Sequence, residues 1–233
     1  MTDVHSDISI SPAKMAKTID HTLLKPDALR SSFDSLCTEA VRYGFKAVCV
    51  NSGWVAYVAD KVRGSGVAVC SVIGFPLGAM HSAAKAYEAE KAVADGAGEL
   101  DMVLNVGALK GGDLNTVEAD IRAIRQAAAS PAVLKVIIET CLLTEAEKIR
   151  ACEICKHVGA DFVKTSTGFS SGGATEEDVA LMRKAVGKEM GVKASGGIKD
   201  WNTAAGMIQA GADRLGTSAG VMIVEPVSDP DQK

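Results

Sequence analysis

The chain has 233 residues, 47% of them hydrophobic, and carries 25 Lys and Arg against 29 Asp and Glu for a net charge of −4. That length is one large domain or two small ones, with ample apolar material for a core. The charge balance excludes a general nucleic-acid binder, which would carry a basic stripe, and leaves room only for a local anion site.

The segment Met1–Lys14 is polar, lacks the apolar core of a secretory signal, and reads as a flexible or lightly docked arm. Eight short apolar runs follow: Ile19–Leu24, Phe45–Asn51, Val67–Phe75, Glu99–Asn105, Val133–Thr140, Phe162–Thr167, Val192–Gly196 and Arg214–Ser218. Most are rich in Val and Ile, and several lack polar alternation, as parallel strands covered on both faces do. Between them lie helical patterns. Phe33, Leu36, Ala40 and Val41 share one face, Val179, Met182 and Val186 another, and Trp201, Ala204, Ala205 and Ile208 a third. Ser82–Ala94 is alanine-rich and strongly helix-forming. Glycine and small residues precede several strands, at Tyr43-Gly44, Gly96-Ala97-Gly98, Gly159-Ala160-Asp161 and Gly211-Ala212-Asp213, as helix C-caps leading into the next strand. The last two share Gly-Ala-Asp, a faint internal repeat.

No linker or composition break divides the chain. Eight βα units in this length predict one α/β domain, a closed (β/α)8 TIM barrel over 15–224, with a doubly wound open sheet as the alternative and 225–233 as a polar tail. No apolar run approaches the ~18 residues that a membrane span needs, so no membrane partner is expected. Four of the six cysteines, Cys37, Cys49, Cys70 and Cys141, lie in apolar or helical patterns and read as small core residues. Cys152 and Cys155 form a Cys-x-x-Cys inside the helical stretch Glu145–Val158, with no second pair or His cluster at metal spacing, and read as helix packing. Such usage fits a reducing cytoplasm.

Chemistry belongs at the C-terminal ends of the strands in either architecture. Lys164 and Lys193 each close a buried strand, and an unpaired ammonium is expensive to bury. A lysine must be partly neutral to attack a carbonyl, and a cationic neighbour pushes it that way. A snorkelling pair reaching solvent or bound phosphate is the structural alternative. Asp101 shares a strand face with Val103 and Asn105, and Lys135 on the next strand can pair with it inside the barrel. Asp20 is a second internal acid. Each is a proton relay or a barrel ion pair. Gly168, Gly196, Gly197, Gly216 and Ser218 cluster at late strand ends, where bare N–H groups and hydroxyls can hold a phosphate, with ordinary tight βα turns as the structural alternative. His21 and His81 read as polar residues at a strand end and a helix start. No metal-ligand spacing, Walker loop, nucleophile elbow or dinucleotide fingerprint is present.

These segments resemble deoxyribose-phosphate aldolase: Ile-Asp-His-Thr-Leu-Leu-Lys-Pro (19–26), Val-Cys-Val-Asn (48–51), Glu-Leu-Asp-Met-Val-Leu-Asn-Val-Gly-Ala-Leu-Lys (99–110), Lys-Val-Ile-Ile-Glu-Thr (135–140), Phe-Val-Lys-Thr-Ser-Thr-Gly (162–168), Val-Lys-Ala-Ser-Gly-Gly-Ile (192–198) and Arg-Leu-Gly-Thr-Ser-Ala-Gly (214–220). The likeness runs from Ile19 to Gly220. It implies a cytoplasmic class I aldolase on a (β/α)8 barrel, using no metal or cofactor, that reversibly cleaves 2-deoxy-D-ribose 5-phosphate to D-glyceraldehyde 3-phosphate and acetaldehyde in deoxyribose phosphate degradation. By the same likeness Lys164 is the Schiff-base nucleophile, Lys193 the neighbour that tunes it, and Asp101 a proton relay. The partner is then a small phosphorylated sugar, and a homodimer is compatible with such a barrel. Phe169 stands where some relatives carry a lysine, and Lys199 where an arginine is common. No tyrosine follows Tyr87, whereas some relatives use a C-terminal one. An acid–base isomerase and a non-catalytic sugar-phosphate binder are the rivals, and neither requires both lysines.

Overall fold

The computed structural model describes residues 10–225. Strands β1 (Ile19–Leu23), β2 (Ala47–Val50), β3 (Ala68–Ile73), β4 (Glu99–Val103), β5 (Val133–Ile137), β6 (Phe162–Lys164), β7 (Gly191–Ser195) and β8 (Arg214–Thr217) pair in parallel in that order, and β8 closes on β1. Around them run α1 (Pro12–Ala16), α2 (Arg30–Tyr43), α3 (Val55–Lys61), α4 (Ser82–Ala94), α5 (Val106–Lys110), α6 (Leu114–Ala127), α7 (Glu145–Val158), α8 (Glu176–Val186), α9 (Trp201–Gln209) and α10 (Gly220–Val224). This is the single-domain (β/α)8 barrel expected from the alternating pattern. The open-sheet alternative falls because β1 and β8 share a ladder, with Asp20 opposite Gly216.

All eight expected strands form, but most stop short of their apolar runs. Thr165, Ser166 and Thr167 remain buried after β6 ends, because the loops over the barrel mouth pack on one another. Pro12–Lys14, assigned from sequence to the arm, begin α1 behind a Ser11 cap. Residues 1–9 of the arm and 226–233 of the tail lie outside the described residues. Phe33, Leu36 and Ala40 are buried on α2, whereas Val41 is exposed at the end of their stripe. Cys141 is likewise exposed, in the turn after β5, and not a core residue as expected. Cys152 and Cys155 are buried on α7; burial pushes the Cys152 thiol up to about 12 and Cys155 well up, so both are inert packing groups.

The faint Gly-Ala-Asp repeat is a structural device. Gly159 and Gly211 turn the chain at φ 82° and 113°. The Asp161 carboxylate then accepts the Leu134 N–H of the preceding strand at 2.7 Å and Arg125 of α6 at 2.8 Å. The Asp213 carboxylate accepts Val192 N–H at 2.8 Å and pairs with Arg183 of α8. Arg125 also donates to Ala132 O, and Arg183 to Met190 O. Each clamp ties a strand start, the preceding strand and the helix that leads into that preceding strand, at the end of the barrel away from the lysines.

The main apolar core fills the layer between strands and helices. One ion pair interrupts it: Lys85 of α4, fully buried, meets Asp120 of α6 at 2.6 Å and donates to Val103 O at 3.0 Å. It ties two helices to the C-terminal end of β4.

Candidate active site

Strand register decides what fills the barrel. Lys135 lies opposite Asp101, Lys164 opposite Lys193, and Lys193 opposite Arg214. Side chains alternate across a strand, so these residues and Asp20 and Glu99 share the inward face. A small apolar set, Leu24, Ala47, Cys49, Cys70 and Val72, fills the side under β1–β3. Much of the remainder is charged, which is costly in a barrel interior unless every ion is paired.

Asp101 is the hub. Its Oδ2 accepts from Lys164 Nζ and from Lys193 Nζ, both at 2.7 Å, and its Oδ1 from Lys135 Nζ at 2.8 Å. The two site lysines therefore share one oxygen and lie no further apart than twice that distance. Lys193 also pairs with Asp20, and Arg214 with Asp20 and, at 2.8 Å, with Glu99. Lys135 reaches Glu99 at 2.6 Å. Asp20, Asp101, Lys135 and Lys193 are wholly buried, and Lys164 is 3% exposed.

Burial alone would raise the Asp101 carboxyl, but Lys135, Lys164 and Lys193 hold it well below the ordinary range. Burial also opposes charge on Lys193; Asp101 and Asp20 outweigh it and keep Lys193 a firm cation. Asp20 is held at about 2, with burial offset by Lys193, Arg214 and Lys135. A carboxyl depressed in the fold adds stability that is present above its unfolded value of about 4 and lost as pH falls through about 2. Urea midpoints measured from pH 6 downward will show that loss in the wild-type chain. Asp20→Asn will flatten it and lower neutral stability by about 3–5 kcal/mol, since Arg214 and Lys193 lose a buried partner.

Above the charges lies a cavity of about 300 Å³. Gly168, Gly196, Gly197, Gly216 and Ser218, the residues expected at a phosphate, all line it, as do Thr22, Lys25, Thr167, Phe169 and Lys199. Lys164 reaches the cavity wall; Lys193, Asp101 and Lys135 lie beneath it. Gly168, Gly196 and Gly197 hold φ near 80–90°, a region L side chains rarely enter. Gly216 serves a close approach instead: a Cβ there would sit 2.9 Å from Ser195 Cβ and 3.1 Å from Lys193 Cε.

Other expected residues fall elsewhere. His21 points outward from β1 and meets Glu39 of α2 at 2.7 Å. His81 caps α4 by accepting Ala83 N–H at 3.2 Å. Asn105 caps α5 and does not stay on a strand face. Sequence reasoning missed Glu99 and Arg214 as members of the charge cluster. Their signal was parity, since Glu99 stands two residues before Asp101. Lys25, Thr22 and Glu139 were missed too, having no periodicity to mark them.

Among the described residues, one cluster brings three potential metal ligands together: Cys49, Cys70 and Asp101, with ligand atoms within 4.8 Å of one another. Three lysine nitrogens already occupy the Asp101 oxygens, so the donor set does not fit a cation.

A closed parallel barrel with paired lysines beneath a glycine-lined mouth is the arrangement of an enzyme acting on a small anionic molecule. The family model described as DeoC/LacD family aldolase matches residues 14–224, and the chain belongs to that family, as a lyase. The relatives carry the name that the sequence motifs suggested. A deoxyribose-phosphate aldolase from Geobacillus sp. (strain WCH70) is 60% identical over 211 residues, 91% of this chain and 95% of the relative. One from Brevibacillus brevis is 61% identical over 210 residues, covering 90% and 95%. Among solved structures, a tetrameric deoxyribose phosphate aldolase from Aeropyrum pernix superimposes with a TM-score of 0.86 at 34% identity, covering 92% of this chain and 91% of that one. Among the described residues no helix is long and apolar enough to cross a membrane.

Proposed function

We propose that this chain cleaves 2-deoxy-D-ribose 5-phosphate reversibly to D-glyceraldehyde 3-phosphate and acetaldehyde through an imine on Lys164. One observation carries the choice of nucleophile: of the three lysines on Asp101, only Lys164 also lines the cavity. Four cations, Lys135, Lys164, Lys193 and Arg214, face three carboxylates, Asp20, Glu99 and Asp101, so the cluster reaches neutrality with one amine unprotonated. Lys193 keeps its charge, pinned by two carboxylates. Attack on a carbonyl needs a neutral amine, and the one that reaches the cavity is on Lys164.

The Lys164 amine adds to C1 of the open-chain sugar, and loss of water leaves a protonated imine. A base removes the C3 hydroxyl proton, the C2–C3 bond breaks, and its electron pair moves into the imine as an enamine. The three-carbon aldehyde phosphate leaves. Protonation at C2 and hydrolysis release acetaldehyde and restore the amine. Asp101, bonded to both Lys164 and Lys193, is placed to pass protons among them, directly or through water. The glycine-lined wall holds the phosphate, whose binding energy orients the distant reacting bond. No metal is needed for these steps. A cytoplasmic setting is supported by six unpaired cysteines.

Borohydride reduction with substrate present, followed by peptide mapping, tests the assignment. The expected adduct is on Lys164. An adduct on Lys193 reverses the two roles, and no adduct in a folded chain removes the imine route. In Lys193→Leu the pH profile of imine formation moves upward, because the cation disfavouring a second charge is gone. An unmoved profile would sink the tuning role.

A further inference from the structure

We propose that Glu139 is a positioning residue that builds the phosphate-facing turn Thr167–Phe169 from behind. The inference rests on the phosphate assignment above and names what shapes that site.

Glu139 follows β5 and is buried, at φ 56° and ψ 67°. Among the described residues it is the one non-glycine residue at positive φ. That conformation crowds Cβ against the backbone, and a fold keeps it in a long side chain only where its surroundings demand it. Its contacts show the demand. Oε1 accepts the Thr167 N–H at 3.1 Å, and Oε2 accepts the Thr167 hydroxyl. The Thr167 Oγ1 in turn accepts the Phe169 N–H at 3.1 Å. Two of three successive amides are thus satisfied inside the protein. The third, Gly168 N–H, has no protein acceptor among the described residues. Gly168 takes φ 81° and lines the cavity beside Lys164.

Glu139 itself does not line that cavity. It lines a smaller one of about 120 Å³, with Leu77, Val106 and Leu142, on the far side of Thr167. Glu139 therefore acts through the turn and not on substrate. An anion at Gly168 gains a donor already fixed in direction, which spares the ordering cost of a free loop. The backbone bond from Thr140 N to Thr165 O, 2.9 Å, ties the same two segments and keeps the carboxylate in register with Thr167.

Glu139→Gly separates shape from support. Glycine accepts positive φ freely, so the backbone is relieved while both Thr167 bonds are lost. The readout is the ratio of kcat/KM for 2-deoxyribose 5-phosphate over unphosphorylated 2-deoxyribose, with inorganic phosphate affinity by calorimetry alongside. The ratio and the phosphate affinity should each fall about tenfold, while borohydride still traps an adduct on Lys164. Glu139→Gln, which keeps one acceptor oxygen, should fall between. General loosening would lower both substrates in parallel; an unchanged ratio or unchanged phosphate affinity overturns the proposal. Failure of the imine route appears separately, as no adduct in the wild-type chain. A wild-type chain that neither binds phosphate nor prefers the phosphorylated sugar overturns both.

Discussion

Lys164→Met will abolish turnover while leaving the barrel folded. Loss of the amine removes the covalent route, so kcat/KM for 2-deoxyribose 5-phosphate falls by at least about 10⁴-fold, or about 5.4 kcal/mol of transition-state stabilisation. Phosphate affinity should stay near wild type, since the glycines and Ser218 that line the cavity are untouched. Methionine matches the lysine stem and brings no charge. Asp101 keeps Lys135 and Lys193 as partners, so the melting temperature moves little. Residual turnover within tenfold of wild type would exclude Lys164 as nucleophile.

Asp101→Asn carries the second large effect, and it divides between chemistry and stability. The amide cannot accept a proton, so kcat falls by about 10²–10⁴-fold. It also withdraws the anion shared by Lys135, Lys164 and Lys193, and stability drops by about 3–5 kcal/mol. The two are separable. Urea midpoints report the ion cluster, and exchange of solvent hydrogen into the acetaldehyde methyl group reports proton transfer at C2. Slow exchange in a chain still folded under assay conditions assigns Asp101 to the relay. Normal exchange with lowered stability makes it a structural hub alone.

Much of this architecture was legible because parallel strands covered on both faces are continuous apolar runs, and eight of them repeat along the chain. The ends were less legible. Thr165–Thr167 stay buried past the end of β6, and burial is what the sequence run records. Val41 and Cys141 were misread for the related reason that apolar character alone does not say which way a residue at the end of an element points. The Asp101–Lys135 pair could be foreseen from adjacent strands of known parity. Glu99 and Arg214 complete the same cluster, but they stand on β4 and β8, four strands apart around the barrel. Such a contact needs closure and shear to be known. Glu139 carried no signal at all, since a backbone dihedral leaves no mark on the pattern of apolar residues.

The two Gly-Ala-Asp clamps bear on how this enzyme could be altered. They tie strand starts at one end of the barrel, while the loops that line the cavity sit at the other. Phe169, Lys199 and Lys25 can therefore be exchanged without disturbing the salt-linked joints that align β5 with β6 and β7 with β8. Under the proposed function, the cavity wall and the frame that aligns the strands are separate parts of the barrel, joined by no shared side chain in these clamps.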